Sequence, residues 1–399
     1  MEVIITDFNH TGEGIGRIDG KIIFIPKTIP GDIVLVKDIK DFKSYYKGTV
    51  DKVITPSPDR IPPKCPYYDL CGGCDLLNIN YSNQLSYKQN KVKNILKKYA
   101  NIDIDLEILS SQKEYGYRNK ITLQVENGKL GLYQQNSNTL VEIDECLLVS
   151  TNVNNLIKII KNNLDLSLVS NIMIREYKDN LMLQFIGNIN KSNVINQLSK
   201  YTKVIYLNDL LLYGDKNLEV KLGNYKYKVS PSSFFQINYE SATKLYDKII
   251  EYLGPNNNKV LDLYCGTASI GIYISNYCKE ITGIEINSSS VKDANENIKL
   301  NNLNNIKVLK GDVGKLLTTK DKYDAIIVDP PRSGLDKKTK ETLLKIKSKK
   351  IIYVSCDPIT LARDLNTLKE LYDIKDITLV DMFPNTYHVE SVVWLSLKK

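Results

Sequence analysis

The pattern of apolar and polar positions changes character along the chain. Residues 1–56 carry short apolar runs, VIITDF, KIIFIPK, DIVLVKDI and YKGTVDKVI, punctuated by Gly, Pro and Asp. Short β-branched runs between turn formers predict strands, and here they predict a small β-barrel. TPSPDRIPPKCP (55–66) breaks the pattern with prolines and predicts a linker. Further on, the strand-like runs ITLQVEN and LMLQFIG alternate with amphipathic stretches such as VNNLIKIIKNNL, predicting an α+β domain over 57–230. From about 231 the alternation becomes regular. Strands are predicted at 259–264, 281–286, 306–311, 324–329 and 351–355, with helical patterns between them. That is the signature of a parallel, doubly wound α/β sheet. Two late strands, near 377–382 and 391–397, have no helix between them and predict an antiparallel pair closing the sheet. The chain therefore reads as multidomain: 1–56, 57–230 and 231–399.

Composition narrows the function classes. The 399 residues are 42% hydrophobic and 25% charged, with no apolar run long enough for a membrane span. No basic-then-apolar leader opens the chain, so a cytoplasmic location is expected. Only two histidines, His10 and His388, argue against zinc hydrolases and histidine-based acyl transfer. The net charge of +8 favours a polyanionic partner weakly. Two segments sharpen that expectation. LSYKQNKVKNILKKY (85–99) carries five lysines and no acid on a helical pattern, predicting either an RNA-facing stripe or a solvated face. KDFKSYYKG (40–48), read as a loop, interleaves Lys40, Lys43 and Lys47 with Phe42, Tyr45 and Tyr46, which suits RNA phosphates and base stacking. TGEGIGR (11–17) looks like a nucleotide loop, but a strand follows it, so its glycines belong to a hairpin.

Four clusters carry chemistry. In KVLDLYCGTASIGIYIS (259–275) a strand turns tightly through Cys265-Gly266-Thr267 into a helix. Glu285 ends the next strand, 19 residues after Gly266. A short loop without a third glycine, followed by an acid placed for ribose hydroxyls, fits S-adenosylmethionine better than a dinucleotide. In YDAIIVDPPRSGLD (323–336) Asp329 ends a strand and two prolines stiffen the turn after it. In KKIIYVSCDPITLARDL (349–365) Cys356 sits at a strand tip, just before a helix opening near Pro358. That helix N-terminus would favour a thiolate there. Finally, Cys65, Cys71, Cys74 and Cys146 offer four thiolates from two segments, a set that suits zinc or an iron–sulfur cluster. Cys265 and Cys278 read as structural.

SPSSFFQIN (230–238), VLDLYCGTASIG, VDPPRSG, VSCDPITLARDL and HVESVVWL (388–395) together resemble the RNA uracil-5-methyltransferase family, across the whole C-terminal half. The resemblance implies that Cys356 is the nucleophile and Glu390 the proton-abstracting base. It implies that Gln236, Tyr264, Glu285 and Asp329 line the cofactor and uracil sites, with S-adenosyl-L-methionine as cofactor. Tyr264 and Ser269 stand where the family often has Phe and Asn. YGYRNKITLQ (115–124) also matches, with Arg118 and Lys120 placed for RNA phosphate and Asn119 for setting a loop. The chemistry needs a thiol, because C5 of uracil is nucleophilic enough only after a thiolate adds to C6. The cysteine set and an N-terminal barrel of the TRAM, OB-like type resemble the ribosomal branch. That branch implies a [4Fe-4S] cluster on Cys65, Cys71, Cys74 and Cys146, and 23S ribosomal RNA as partner. tRNA is the alternative substrate, and an RNA-binding or folding factor with a dormant transferase domain is the rival class. Nothing in the chain points to a membrane or to an obligate protein partner.

Overall fold

The computed structural model describes residues 1–320 and 322–399. Its N-terminal unit is a six-stranded sheet. In spatial order the strands are Glu2–Ile4, Ile33–Phe42, Tyr45–Thr55, Lys21–Ile25, Gly14–Ile18 and Asp7–Phe8. The segment 2–8 pairs at its start with Ile33–Phe42 and at its end with Gly14–Ile18, so one extended segment joins both ends of the sheet. Val3, Ile5, Ile23, Ile25 and Val34 fill its interior. The glycines of TGEGIGR are packing devices. A Cβ at Gly14 would lie 2.0 Å from Thr28 Oγ1, and one at Gly16 would lie 2.3 Å from Val3 Cγ1. KDFKSYYKG is not a separate loop. It forms the end of the hairpin made by Ile33–Phe42 and Tyr45–Thr55, where Tyr45–Lys47 also pair with Ile22–Phe24 and Phe42 stacks on Tyr45 with centroids 4.9 Å apart.

The central unit is a seven-stranded sheet running from Leu140–Glu142 to Leu210–Gly214. The helices Thr151–Asn163 and Lys191–Leu198 bury Val153, Leu156, Ile157, Val194 and Leu198 in its core.

The C-terminal sheet has eight strands, in the order Ile306–Lys310, Cys278–Glu285, Asn257–Leu263, Ala325–Val328, Lys350–Ser355, Glu390–Leu397, Tyr372–Val380 and Glu107–Leu109. The first five are parallel, and Glu390–Leu397 runs antiparallel to both of its neighbours. The core does not break at residue 231. Glu107–Leu109 adds an edge strand to this sheet. The hairpin Leu218–Leu222/Tyr225–Val229 buries Val220 and Tyr227 in the same cluster as Tyr246 and Ile272.

Helix Tyr81–Ala100 corrects the lysine-stripe reading. It packs Val92 and Leu96 into the cluster that holds Leu361 and Leu365. Lys88 and Lys91 are buried, because their stems reach inward past the apolar face. Lys93 and Lys97 pair with Asp105 and Asp103 at 2.8 and 2.7 Å. Two of the five lysines thus turn into the fold, while Lys93, Lys97 and Lys98 stay on the exposed face. No helix among the described residues is long and apolar enough to cross a membrane.

Candidate active site

Strand register assembles the site. Val328 pairs with Leu263 on one side and Tyr353 on the other, so Tyr264 and Asp329 leave adjacent strands at one edge of the sheet. Ser355 pairs with Ser391. Cys356, one residue beyond Ser355, and Glu390, one residue before Ser391, therefore meet at that same edge. A cavity of about 1030 Å³ opens there, and Cys356, Glu390, Asp329, Gln236, Tyr264 and Glu285 all line it. All six residues singled out from the C-terminal motifs are brought together.

The turn after the first strand is held in left-handed backbone at Tyr264 (φ 63°), Gly266 (φ 54°) and Ala268 (φ 60°). A bulky residue in that region is uncommon and strained. Glu285 fixes the turn from the next strand: its carboxylate accepts from Gly266 N at 3.0 Å and from Asn287 N at 2.7 Å. A carboxylate has about four acceptor positions, so capacity remains toward the cavity. Tyr246 Oη and Ser269 Oγ lie 2.9 Å apart behind the turn. Gln236 is set from the central unit, where Asn119 donates to the Gln236 carbonyl at 2.9 Å and to the Ile237 carbonyl at 2.8 Å. Arg118 lines the cavity, while Lys120 faces a neighbouring one.

A buried carboxylate ties the Asp329 loop to the Cys356 helix. Asp364 Oδ2 accepts from Leu335 N at 2.7 Å and from Tyr353 Oη at 2.9 Å. The approach to Glu390 is braced by an ion pair 2.6 Å long between Lys88 and Asp381, both side chains fully covered. Lys88 also donates to the Phe383 carbonyl at 2.9 Å, and Tyr81 Oη donates to Asp381 at 2.8 Å. Lys91 donates to the Tyr387 carbonyl. These bonds anchor the segment 381–388, which lines the cavity through Phe383, Tyr387 and His388.

The electrostatics overturn one expectation. Helix Pro358–Leu368 does begin behind Cys356, but Asp357 caps it, accepting from Ile359 N and Thr360 N at 2.9 Å each. Its free donors are therefore already matched by a carboxylate. Burial, followed by Glu390 and Asp329, pushes the Cys356 thiol up to about 11. Burial and Asp329 push Glu390 up to about 8, and burial pushes Asp329 up to about 7. His388 is driven down to about 3 by burial and Arg332, so it is neutral at pH 7. Sequence reasoning assigned no role to Asp262. It is buried and raised to about 8 by burial and Asp329, against the opposing backbone N–H of Gly271, and among the described residues no side chain donates to its carboxylate. Its signal was an acid inside an otherwise apolar strand.

The four clustered cysteines line a second cavity of about 410 Å³, which shares Gly73, Arg118, Phe234 and Ile237 with the first. Gly73 N donates to Cys71 Sγ at 3.4 Å. Lys27 donates to the Cys71 and Cys74 carbonyls. Among the described residues, no group of three or more His, Cys, Asp or Glu side chains has the geometry to hold a metal ion. The thiols share a cavity without closing on one point. Cys278 is buried in the C-terminal core, and Cys265, also buried, lines the first cavity beside Gly266.

Comparison with known proteins places this arrangement. The model of the tRNA (uracil-5-)-methyltransferase family matches residues 173–316 and 314–398, and the TRAM domain model matches residues 1–50. An uncharacterized RNA methyltransferase of Clostridium tetani is 34% identical, covering 98% of this chain and 95% of that protein. One of Halalkalibacterium halodurans is 32% identical over 100% and 97%. The crystal structure of Pyrococcus abyssi tRNA (uracil-54, C5)-methyltransferase with S-adenosyl-L-homocysteine superposes with a TM-score of 0.81, at 28% identity over 99% of this chain and 100% of that one. The chain belongs to the tRNA (uracil-5-)-methyltransferase family of RNA methyltransferases and carries a TRAM domain at its N-terminus.

Proposed function

We propose that this protein methylates C5 of a uridine in 23S ribosomal RNA, using S-adenosylmethionine and a covalent bond from Cys356 to C6. The observation that carries the reading is the register that sets Cys356 beside Glu390 on the cavity lined by Tyr264, Glu285 and Asp329. Glu285, Tyr264 and Gln236 would hold S-adenosylmethionine, which supplies an electrophilic methyl group when bound. The Glu285 carboxylate has acceptor capacity left for ribose hydroxyls, and the left-handed turn at Gly266 brings backbone close to the site.

The chain's own residues do the rest. Asp329 orients the uracil ring by hydrogen bonding. Cys356 gives up its proton to solvent water and its sulfur adds to C6, and the C5=C6 electron pair moves onto C5 and the ring carbonyl. C5 takes the methyl group, leaving the pair of the broken S–CH3 bond on the donor sulfur as a neutral thioether. The Glu390 carboxylate then removes the C5 proton, the C–H pair re-forms C5=C6, and the Cys356 sulfur leaves with the C–S pair. The target base must leave its stack to reach so recessed a thiol. The hairpin end of the 1–56 unit, which we read as a barrel, contributes affinity through Lys40, Lys43 and Lys47.

Cys65, Cys71, Cys74 and Cys146 are read as ligands of a [4Fe-4S] cluster, with zinc the alternative. Four thiols on one cavity are a suitable donor set, and closing of the ligands around the metal accompanies binding. This set and the TRAM unit support ribosomal RNA and a cytoplasmic location. A second reading, tRNA, is favoured by full-length similarity to the Pyrococcus tRNA (uracil-54, C5) enzyme. Mapping 5-methyluridine in RNA from cells with and without the gene tests the choice. Loss from large-subunit RNA alone supports the first reading; loss from tRNA alone replaces it with the second.

A further inference from the structure

Arg175 lies within the strand Val169–Tyr177 and is 0% exposed. Its Nη2 donates to the Ser233 carbonyl at 2.8 Å, while Nε and Nη1 have no partner among the described residues. An arginine is charged at any working pH and offers five N–H donors. A buried cation with one hydrogen bond and no anion is costly, so a fold that keeps one is holding it for something. Arg175 faces the cysteine-lined cavity, and Arg118 and Lys120 face it too. Glu145 is the acid on that wall, and it lies 3.6 Å from Lys158, outside the cavity lining. The cavity is therefore positive until something anionic enters it. The four thiols can provide that. Cysteines bind metal as thiolates, and four thiolates around a zinc ion or a doubly positive [4Fe-4S] core leave two negative charges.

We propose that Arg175 is the buried counter-charge of the tetrathiolate metal centre and links that centre to the loop 230–237 through Ser233. The inference rests on the metal reading given above. It follows that metal and Arg175 stabilise each other. Without metal the guanidinium is a liability; with metal it is matched.

The test uses the full chain, purified anaerobically, as wild type, Arg175→Gln and Arg175→Lys. Gln retains a donor for Ser233 but loses the charge; Lys retains the charge. Metal and sulfide content of the wild type is measured first. Wild-type protein that binds neither iron nor zinc fails the metal reading and overturns the inference with it. In protein that binds metal, melting temperatures are compared with and without it. Arg175→Gln should melt higher than wild type when metal-free and gain less from metal, whereas Arg175→Lys should keep most of the wild-type gain. If iron is present, the cluster of Arg175→Gln should also be harder to reduce, by about tenfold in the redox equilibrium, or about 59 mV for one electron. Should Arg175→Gln yield no soluble protein, Lys120→Met carries the same expectation at smaller size. An unchanged metal-dependent gain in a metal-binding protein overturns the role of Arg175 and leaves the metal reading standing. Unchanged gain with weaker, less salt-sensitive RNA binding would assign the cation to an RNA phosphate instead, and equally overturns it.

Discussion

Glu390→Gln should make the protein more stable and nearly inactive, with both effects calculable from one environment. Burial and Asp329 raise the Glu390 carboxyl from 4.5 to about 8. Because the folded state holds this proton more tightly than the unfolded state, the contribution to stability is complete below pH 4.5 and is lost as pH rises through about 8. At 1.36 kcal/mol per pH unit that loss is about 3 kcal/mol at pH 7 and about 5 kcal/mol above pH 8. Gln keeps the shape of the protonated acid and cannot ionise. The variant should therefore melt above wild type at pH 8, with the gap closing toward pH 5. In catalysis the loss of a general base costs about 10²–10⁴-fold, and here it falls on the last step alone. Incubated with uridine RNA and a methyl-labelled donor, the variant should accumulate a labelled protein–RNA complex that survives denaturing electrophoresis. Elimination by wild type should rise about tenfold per pH unit up to about 8 and then level off. His388 is the rival base, being neutral and on the same cavity. If His388→Gln traps the methylated complex while Glu390→Gln turns over normally, the assignment is refuted. If Glu390→Gln is no more stable at pH 8 than at pH 5 relative to wild type, the electrostatic reasoning is refuted.

RNA containing 5-fluorouridine should form a stable adduct with wild type, since fluorine cannot leave C5 as a proton does, and Cys356→Ala should form none on a denaturing gel. Asp381→Asn should cost about 3–5 kcal/mol in denaturant unfolding, because it strands Lys88 as a buried cation. Lys88→Met combined with Asp381→Leu should recover most of that loss, which a double-mutant cycle reads directly. Changing Lys40, Lys43 and Lys47 together to Gln should weaken RNA binding at unchanged kcat. The slope of log affinity against log salt should fall by about 0.7–0.9 for each phosphate that is no longer neutralised.

How much was legible depended on the range of the interaction. The strand pattern revealed the parallel sheet and its antiparallel close because buried strands carry their signal locally in runs such as IIYV and VVWL. The six candidate residues were legible as motifs because each sits at a strand end or in a turn, and the fold brings all six to one cavity, four of them by strand register. Pairings across hundreds of residues left no such mark. Lys88 meets Asp381 from 293 positions away. In the sequence it was one lysine in a row of five, and nothing nearby told which of them turn inward. Glu107–Leu109 is too short to announce that it extends the C-terminal sheet rather than its own. Arg175 reads as a polar residue on a strand face, and only the packed structure shows its guanidinium covered and under-bonded.

The thiol's charge is where local sequence misled. A helix start after a strand-tip cysteine ordinarily favours thiolate. Asp357 reverses that inference by occupying the donors that would have produced the field. Around Cys356 the cavity wall sets Asp329 and Glu390, with Asp262 behind them, and burial makes each resist ionisation. Like charges in low dielectric oppose one another, so ionising any one of these groups raises the cost for the rest. The favoured state of this edge of the sheet is therefore a neutral thiol beside acids that hold their protons up to about 7 at Asp329 and about 8 at Glu390 and Asp262. Arg332 lowers both Cys356 and Glu390 but does not outweigh burial. A nucleophile in that state is quiet toward solvent. On the mechanism proposed above, its proton leaves to solvent as the uracil enters, when the charge of the sulfur passes through C6 onto the ring carbonyl instead of remaining among the carboxyls. Glu390 need only be anionic after that charge has been consumed at C5. The order of addition first and base catalysis last thus matches the order in which this cavity tolerates negative charge.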